Sequence, residues 1–286
     1  MRNLFLILII INFFIALDAQ ENIVYNGSFE EYCICPNNFH ADTFACDGWW
    51  SPNDATPDYY HKCMDNHTNS YYYYKSHYEP KTGNGYIGLA LIGVENFWME
   101  HIQSKLIEPL EAGKQYKVSF WVKLAYKYSD YAVYNIGLYF SKDSDIVGKK
   151  NNVSNYVRYI TPELRAHIKN QDGNFITDTN WVEISGIYTA QGGEQYVTIG
   201  MFWDDTPAVV EAHKKYKNKN TQYNKKLLSK AIKNNLLVEN PYIEKYKKME
   251  DQYIRSHSPY YYHYWDKEKK NVYYLIDDVS VIELDE

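Results

Sequence analysis

Apolar and polar residues alternate with a period of two along much of this chain. Gln115 to Ala125 reads QYKVSFWVKLA, with Tyr116, Val118, Phe120 and Val122 on one side and Lys117, Ser119, Trp121 and Lys123 on the other. That is the pattern of a strand with one face in a core and the other toward solvent or a ligand. Similar runs occupy Gly85 to Ile92, Phe97 to Gln103, Ala132 to Ser141, Trp181 to Thr189, Gln195 to Trp203 and Val272 to Leu284. Turn-forming stretches separate them: Glu111-Ala112-Gly113-Lys114, Gln191-Gly192-Gly193 and Lys81-Thr82-Gly83-Asn84-Gly85. About eight to ten strands with no βα alternation predict an all-β, antiparallel sandwich or jelly roll.

Three segments break the pattern. Leu4 to Leu17 is an apolar run interrupted only by Asn12, preceded by Met1-Arg2-Asn3 and followed by Asp18-Ala19-Gln20. A basic start, an apolar stretch of about 14 residues and a small residue at its exit describe a signal peptide. The competing reading, a membrane anchor, calls for about 20 apolar residues. The expected division is therefore a signal peptide over 1–19 and a sandwich domain over 20–286, with no span left after cleavage. Residues 143–178 are polar and Asn-rich, with one short helix expected around Pro162 to Ile168. Over 207–256 the alternation disappears, and Leu227, Leu228, Ala231, Ile232 and Leu236 recur at helical spacing. This segment reads as a helical insertion before the last strand, with a partner-binding arm as the other possibility.

Charge refines that picture. The chain carries a net −6, yet Asp205 to Ser256 holds twelve Lys and Arg against six Asp and Glu. The insertion is thus locally basic within an acidic protein, which argues for a solvated helical face or a protein partner and against nucleic acid. The four cysteines, Cys33, Cys35, Cys46 and Cys63, all lie near the mature N-terminus. In an exported chain they read as two disulfides with three possible pairings. A zinc site is the alternative, disfavoured by the single residue between Cys33 and Cys35.

The ends of the mature chain are the most specific segments. It opens with Asn22-Ile23-Val24-Tyr25-Asn26-Gly27-Ser28-Phe29-Glu30 and closes with Ile276-Asp277-Asp278-Val279-Ser280-Val281. This pairing resembles galactose-binding-like jelly rolls of the carbohydrate-binding-module type, families 4, 9 and 22. Cys35-Pro36, Gly48-Trp49, His61-Lys62-Cys63, Pro80-Lys81-Thr82-Gly83-Asn84-Gly85-Tyr86 and the runs at 135–141 and 181–196 are similar to one subset. That subset comprises exported Bacteroidetes proteins often joined to an outer-membrane-protein-A-like domain, which is not expected within these residues. The resemblance implies a secreted, periplasmic or outer-surface protein, with first and last strands side by side. It also implies a structural Ca²⁺ held by Glu30 and one of Asp277 and Asp278, since gathered carboxylates repel unless neutralised. It further implies a Cys35–Cys63 disulfide, leaving Cys33 to pair with Cys46; Cys35 with Cys46 is the alternative.

Candidate chemistry is sparse. No GxSxG, HExxH, P-loop or GxGxxG motif is present. Glu95, Glu100, Asp204 and Asp205 are available carboxylates that sequence does not pair into a glycosidase site, and His61, His67, His77 and His101 are scattered. The expectation is a non-catalytic domain. Sugar recognition needs flat aromatic faces with a few polar groups for the hydroxyls. The ligand-binding candidates are Trp121 foremost, with Tyr134, Trp203, Trp50 and Tyr60; Trp121 is singled out because it lies opposite the apolar face of its strand. The partner expected is a glycan. The other reading is an envelope structural or protein-interaction domain using the basic insertion and the Tyr71–Tyr74 and Tyr260–Tyr262 clusters.

Overall fold

The computed structural model describes residues 21–36, 45–53, 55–67, 78–93, 99–127, 129–146, 164–202, 233, 237–246, 248 and 271–285. Strands follow the alternation: β1 (Trp49–Trp50), β2 (Asp58–His61), β3 (Gly85–Gly93), β4 (His101–Lys105), β5 (Gln115–Leu124) and β6 (Tyr131–Ala132) come first. They are followed by β7 (Ile136–Ser141), β8 (Ile168–Lys169), β9 (Val182–Thr189), β10 (Tyr196–Met201), β11 (Val238–Glu239) and β12 (Asn271–Glu283). All pairings are antiparallel. The first sheet has the order β1-β4-β10-β7-β8 and the second β2-β3-β12-β5-β9, and the two form a jelly-roll sandwich.

The core lies between the sheets because each strand turns its apolar half inward. Tyr116, Val118, Phe120, Val122 and Leu124 of β5 are buried while Lys117 is exposed and Trp121 half-buried. From the first sheet Ile102, Ile136, Leu138, Phe140, Val197 and Ile199 meet them. β12 is the middle strand of the second sheet and is buried on both faces. Tyr274 and Ile276 enter the core, and Tyr273 and Leu275 lie in a second apolar cluster on the outer face.

The two ends of the described chain are laced together. Ile23 N–H donates to Val281 O (3.0 Å), Val279 N–H to Gly27 O (2.8 Å), and the Asn22 amide bridges Val279 O and Val281 N–H at 2.9 Å each.

Several expectations change. The run at 132–141 divides into β6 and β7, because the Tyr274 hydroxyl, in accepting from Val133 N–H (3.1 Å), takes that residue out of the ladder. Residues 164–167 are not helical, and β8 follows them to pair with β7. Part of the insertion is a strand, since β11 pairs with β6, and Ile243 to Tyr246 are helical. Residues 1–19 and the Leu227 to Leu236 stripe lie outside the described residues.

Cys35 and Cys63 form a disulfide. Cys33 and Cys46 do not pair: both are free thiols. The reason is register. Tyr32 bridges Cys46 across an antiparallel contact, so Cys33, one residue on, turns to the other side and is exposed while Cys46 is buried. Cys35 is taken by Cys63, which also removes the Cys35–Cys46 alternative.

Candidate ligand-binding face

The outer face of the second sheet carries the side chains that the alternation of β5 turns away from the core. Trp121 stands there directly between Asp277 of β12 and Glu183 of β9 in the strand register. The next row is Ser280, Ser119 and Ser185. Two residues along β5 in the other direction, Lys123 lies opposite Leu275, with its Nζ 5.7 Å from the ring centroids of Tyr78 and Trp181. Trp181 precedes β9 and donates its Nε1–H to Glu79 O (3.1 Å).

A loop fixes one end of this face. Residues 80–84 cross it and place Lys81 Nζ 4.2 Å from the Trp121 ring centroid. Glu30, Asp277 and Asp278, the acids among which the calcium ligands are expected, hold that loop. Glu30 accepts from Asn84 N–H (2.6 Å), Gly85 N–H (2.8 Å) and the Asn84 amide (3.0 Å). Asp277 Oδ2 accepts from Lys81 N–H (2.7 Å) and Thr82 N–H (3.4 Å), and Asp278 Oδ1 from the Thr82 hydroxyl (2.7 Å). A bulge sorts the adjacent aspartates. Trp121 faces Asp277 but Ser119 faces Ser280, so Asp278 is the additional residue, in the left-handed region at φ 47°. Gly83 sits at φ 57°, where a Cβ would come within 2.3 Å of Glu30 Oε1, so the loop closes over this carboxylate only with glycine there.

Calcium takes six to eight oxygen ligands. Glu30 and Asp277 face the positive ends of N–H dipoles. Among the described residues no group of three or more His, Cys, Asp or Glu is placed to hold a metal ion. In this arrangement the acids clasp the loop.

Their titration differs with burial. Burial works against the charge of Glu30, but its donors from Asn84 and Gly85 hold the carboxyl below the usual range. Asp277 is fully buried, and that burial, with Asp278 beside it, pushes its carboxyl up to about 8 against the pull of the Lys81, Asp278 and Thr82 N–H groups. In the unfolded chain an aspartate ionises near about 4. Stability from protonated Asp277 is thus full below that value and is lost as pH rises through about 8. The unfolding free energy is expected to fall by up to about 1.4 kcal/mol per pH unit in this window. Asp277→Asn should flatten that slope in urea titrations between about pH 5 and 8; a slope identical to wild type would remove Asp277 as its source.

The remaining candidates do not gather at Trp121. Tyr60 is on the same outer face but buried, stacked on Tyr86 (5.0 Å between centroids) with its hydroxyl 3.1 Å from that of Tyr273. Tyr273 in turn donates to Asp58, which burial pushes up to about 7. Tyr60 is therefore part of the apolar cluster with Tyr78, Tyr86, Tyr273 and Leu275 and not a free platform. Trp50 lies on the first sheet, donating Nε1–H to Gln103 Oε1 (3.1 Å) with Tyr196 edge-on at 6.1 Å. Tyr134 packs edge-on against Phe175 between β6 and β7. Trp203 lies outside the described residues. Among the carboxylates considered for catalysis, Glu100 is buried and accepts from Ala90 N–H (2.7 Å), while Glu95, Asp204 and Asp205 lie outside the described residues. His101 is buried with Nε2 3.0 Å from Met201 O, and burial pushes it down to about 4. His61 Nδ1 accepts from Cys63 N–H (3.0 Å).

No family model matches the sequence. No curated protein matches it either. Among solved structures, the CBM22-1 xylan-binding domain of Paenibacillus barcinonensis Xyn10C is similar at 11% identity and a TM-score of 0.40, over 94% of this chain and 97% of that one. The K1 cleaved adhesin domain of Lys-gingipain from Porphyromonas gingivalis W83 is similar at 12% identity and a TM-score of 0.33, over 90% and 96%. A cyclase from Fischerella sp. TAU is similar at 14% identity and a TM-score of 0.27, over 62% and 92%. The fold assignment rests on the strand order itself.

Two contributors to the face were missed in the sequence, Lys81 and Trp181. Trp181 opened a run that the alternation marked as a strand, so its side was readable; Lys81 reaches Trp121 only through contacts far apart in the chain.

Proposed function

We propose that this chain is a non-catalytic glycan-binding domain of an exported protein, with its ligand on the outer face of the second sheet at Trp121. The observation that carries the reading is the row Asp277–Trp121–Glu183 beside the row Ser280–Ser119–Ser185. A half-buried indole offers a flat apolar surface to one side of a pyranose. The carboxylate of exposed Glu183 and the neighbouring serine hydroxyls suit sugar hydroxyls, and an apolar surface with few polar groups is the usual composition of a ligand site. The disulfide fits an oxidising compartment. No helix among the described residues is long and apolar enough to cross a membrane.

A glycan array followed by calorimetry tests this. Trp121→Ala is expected to weaken binding at least tenfold, or about 1.4 kcal/mol, while Trp50→Ala on the other sheet leaves it unchanged. A blank array together with a stoichiometric envelope protein retained on the immobilised chain would replace the reading with a protein-interaction role.

A further inference from the structure

The second-sheet face is not neutral. Lys81, Lys123 and Lys127 each place an ammonium over aromatic rings: Lys81 over Trp121 at 4.2 Å, Lys123 over Tyr78 and Trp181 at 5.7 Å, and Lys127 over Tyr78 at 5.0 Å. Lys123 and Lys127 share the Tyr78 ring. Alternating side chains on β5 put Lys123 two residues from Trp121 on the same face, a rise of roughly 7 Å.

Lys123 is half-buried and forms no ion pair with any described carboxylate. Glu79, the acid nearest in sequence to this loop, has its Oε2 3.8 Å from Lys62 Nζ. Asp277 is occupied by N–H donors, and Glu183 stands across from Trp121. Removing an ammonium from water is costly unless a counter-charge compensates, and two ammonium groups on one ring add mutual repulsion. Ring faces return part of that cost through their quadrupoles. Burial and the proximity of Lys127 both work against the charge on Lys123, with Glu79 opposing. An incoming anion would supply the paired counter-charge that no described carboxylate gives Lys123.

We infer that this strip takes an acidic glycan, with Lys123 pairing with a carboxylate or sulfate of a sugar stacked on Trp121 or Trp181. The inference rests on the glycan-binding reading and adds its charge class. Interleaved indole and phenol faces favour a sugar chain over a purely electrostatic polyanion, because they recognise the ring as well as the charge.

Binding of the purified chain to polygalacturonate, dextran sulfate, neutral dextran and single-stranded DNA separates the outcomes. The expected result is tighter binding of one acidic glycan than of neutral dextran, weakening as salt rises. Lys123→Met, which keeps the packing stem, should lower that affinity about tenfold, equivalent to about 1.4 kcal/mol, and Lys123→Arg should restore most of it. Melting temperature checks that each variant is folded. Preference for polygalacturonate assigns the carboxylate arm, and preference for dextran sulfate the sulfate arm. Neutral glycans bound through Trp121 with no charge preference would overturn this inference alone. Failure to bind any glycan would overturn the glycan reading and this inference with it, and DNA bound more tightly than every glycan would point to a general polyanion site instead.

Discussion

Truncating Phe29 to alanine is expected to lower the unfolding free energy by about 3–5 kcal/mol, the range for removing a buried aromatic side chain. Phe29 is fully buried, and its ring centroid lies 5.0 Å from that of Trp49. Its backbone is in the left-handed region at φ 59°, where a bulky side chain is disfavoured. The conformation is held by Phe29 N–H donating to Asn26 O (3.1 Å) and by the Tyr59 hydroxyl donating to Phe29 O (2.8 Å). The next residue is Glu30, so loosening Phe29 also loosens the clasp on the 80–84 loop and hence Lys81 over Trp121. Urea titration should show a lower midpoint at an unchanged slope. A loss below about 1 kcal/mol would mean the ring is not the anchor it is taken to be.

The second large effect concerns Cys35–Cys63, which closes a sequence separation of 28 residues. Cross-linking a loop of that length restricts the unfolded chain by about 3–4 kcal/mol. The double variant Cys35→Ser, Cys63→Ser should therefore melt on the order of 10 °C lower than wild type. Wild type under a thiol reductant should approach the same value. Coincident melting of oxidised and reduced protein would show that the bridge constrains nothing. The double variant is preferred to either single one because a lone remaining thiol would join exposed Cys33 as a second partner for exchange.

What could be read from the sequence was whatever depends on period two. The alternation in Gln115–Leu124 predicted both the core side and the outward Trp121, because a strand leaves each residue only two directions. The long apolar run of β12 was also legible as a strand. Its burial on both faces was not, since Tyr273 and Leu275 are covered by Tyr60, Tyr78 and Tyr86 from elsewhere in the chain. Tyr60 was misjudged for the same reason: nothing local distinguishes a stacked, buried tyrosine from a rim tyrosine. The carboxylates at the two ends were identified as a set, but their bonds to the loop were not, because the N–H groups that Glu30 and Asp277 accept from are aimed by the turn at Gly83. The free thiols depend on a single register contact, Tyr32 with Cys46, that spacing does not encode.

The central place of residues 271–283 constrains how the protein can fold. β3 and β5 each offer an edge to β12, and the residues they pair with lie roughly 150 to 190 positions further along the chain. Until that segment arrives, the second sheet is two separate ribbons with open hydrogen-bonding edges, the arrangement most prone to capture by another molecule. Assembly must then proceed through distant pairings, which places this sandwich among the slow folders. The two ribbons would stay adhesive until residues 271–283 arrive, and insertion of that middle strand would close both edges in one step.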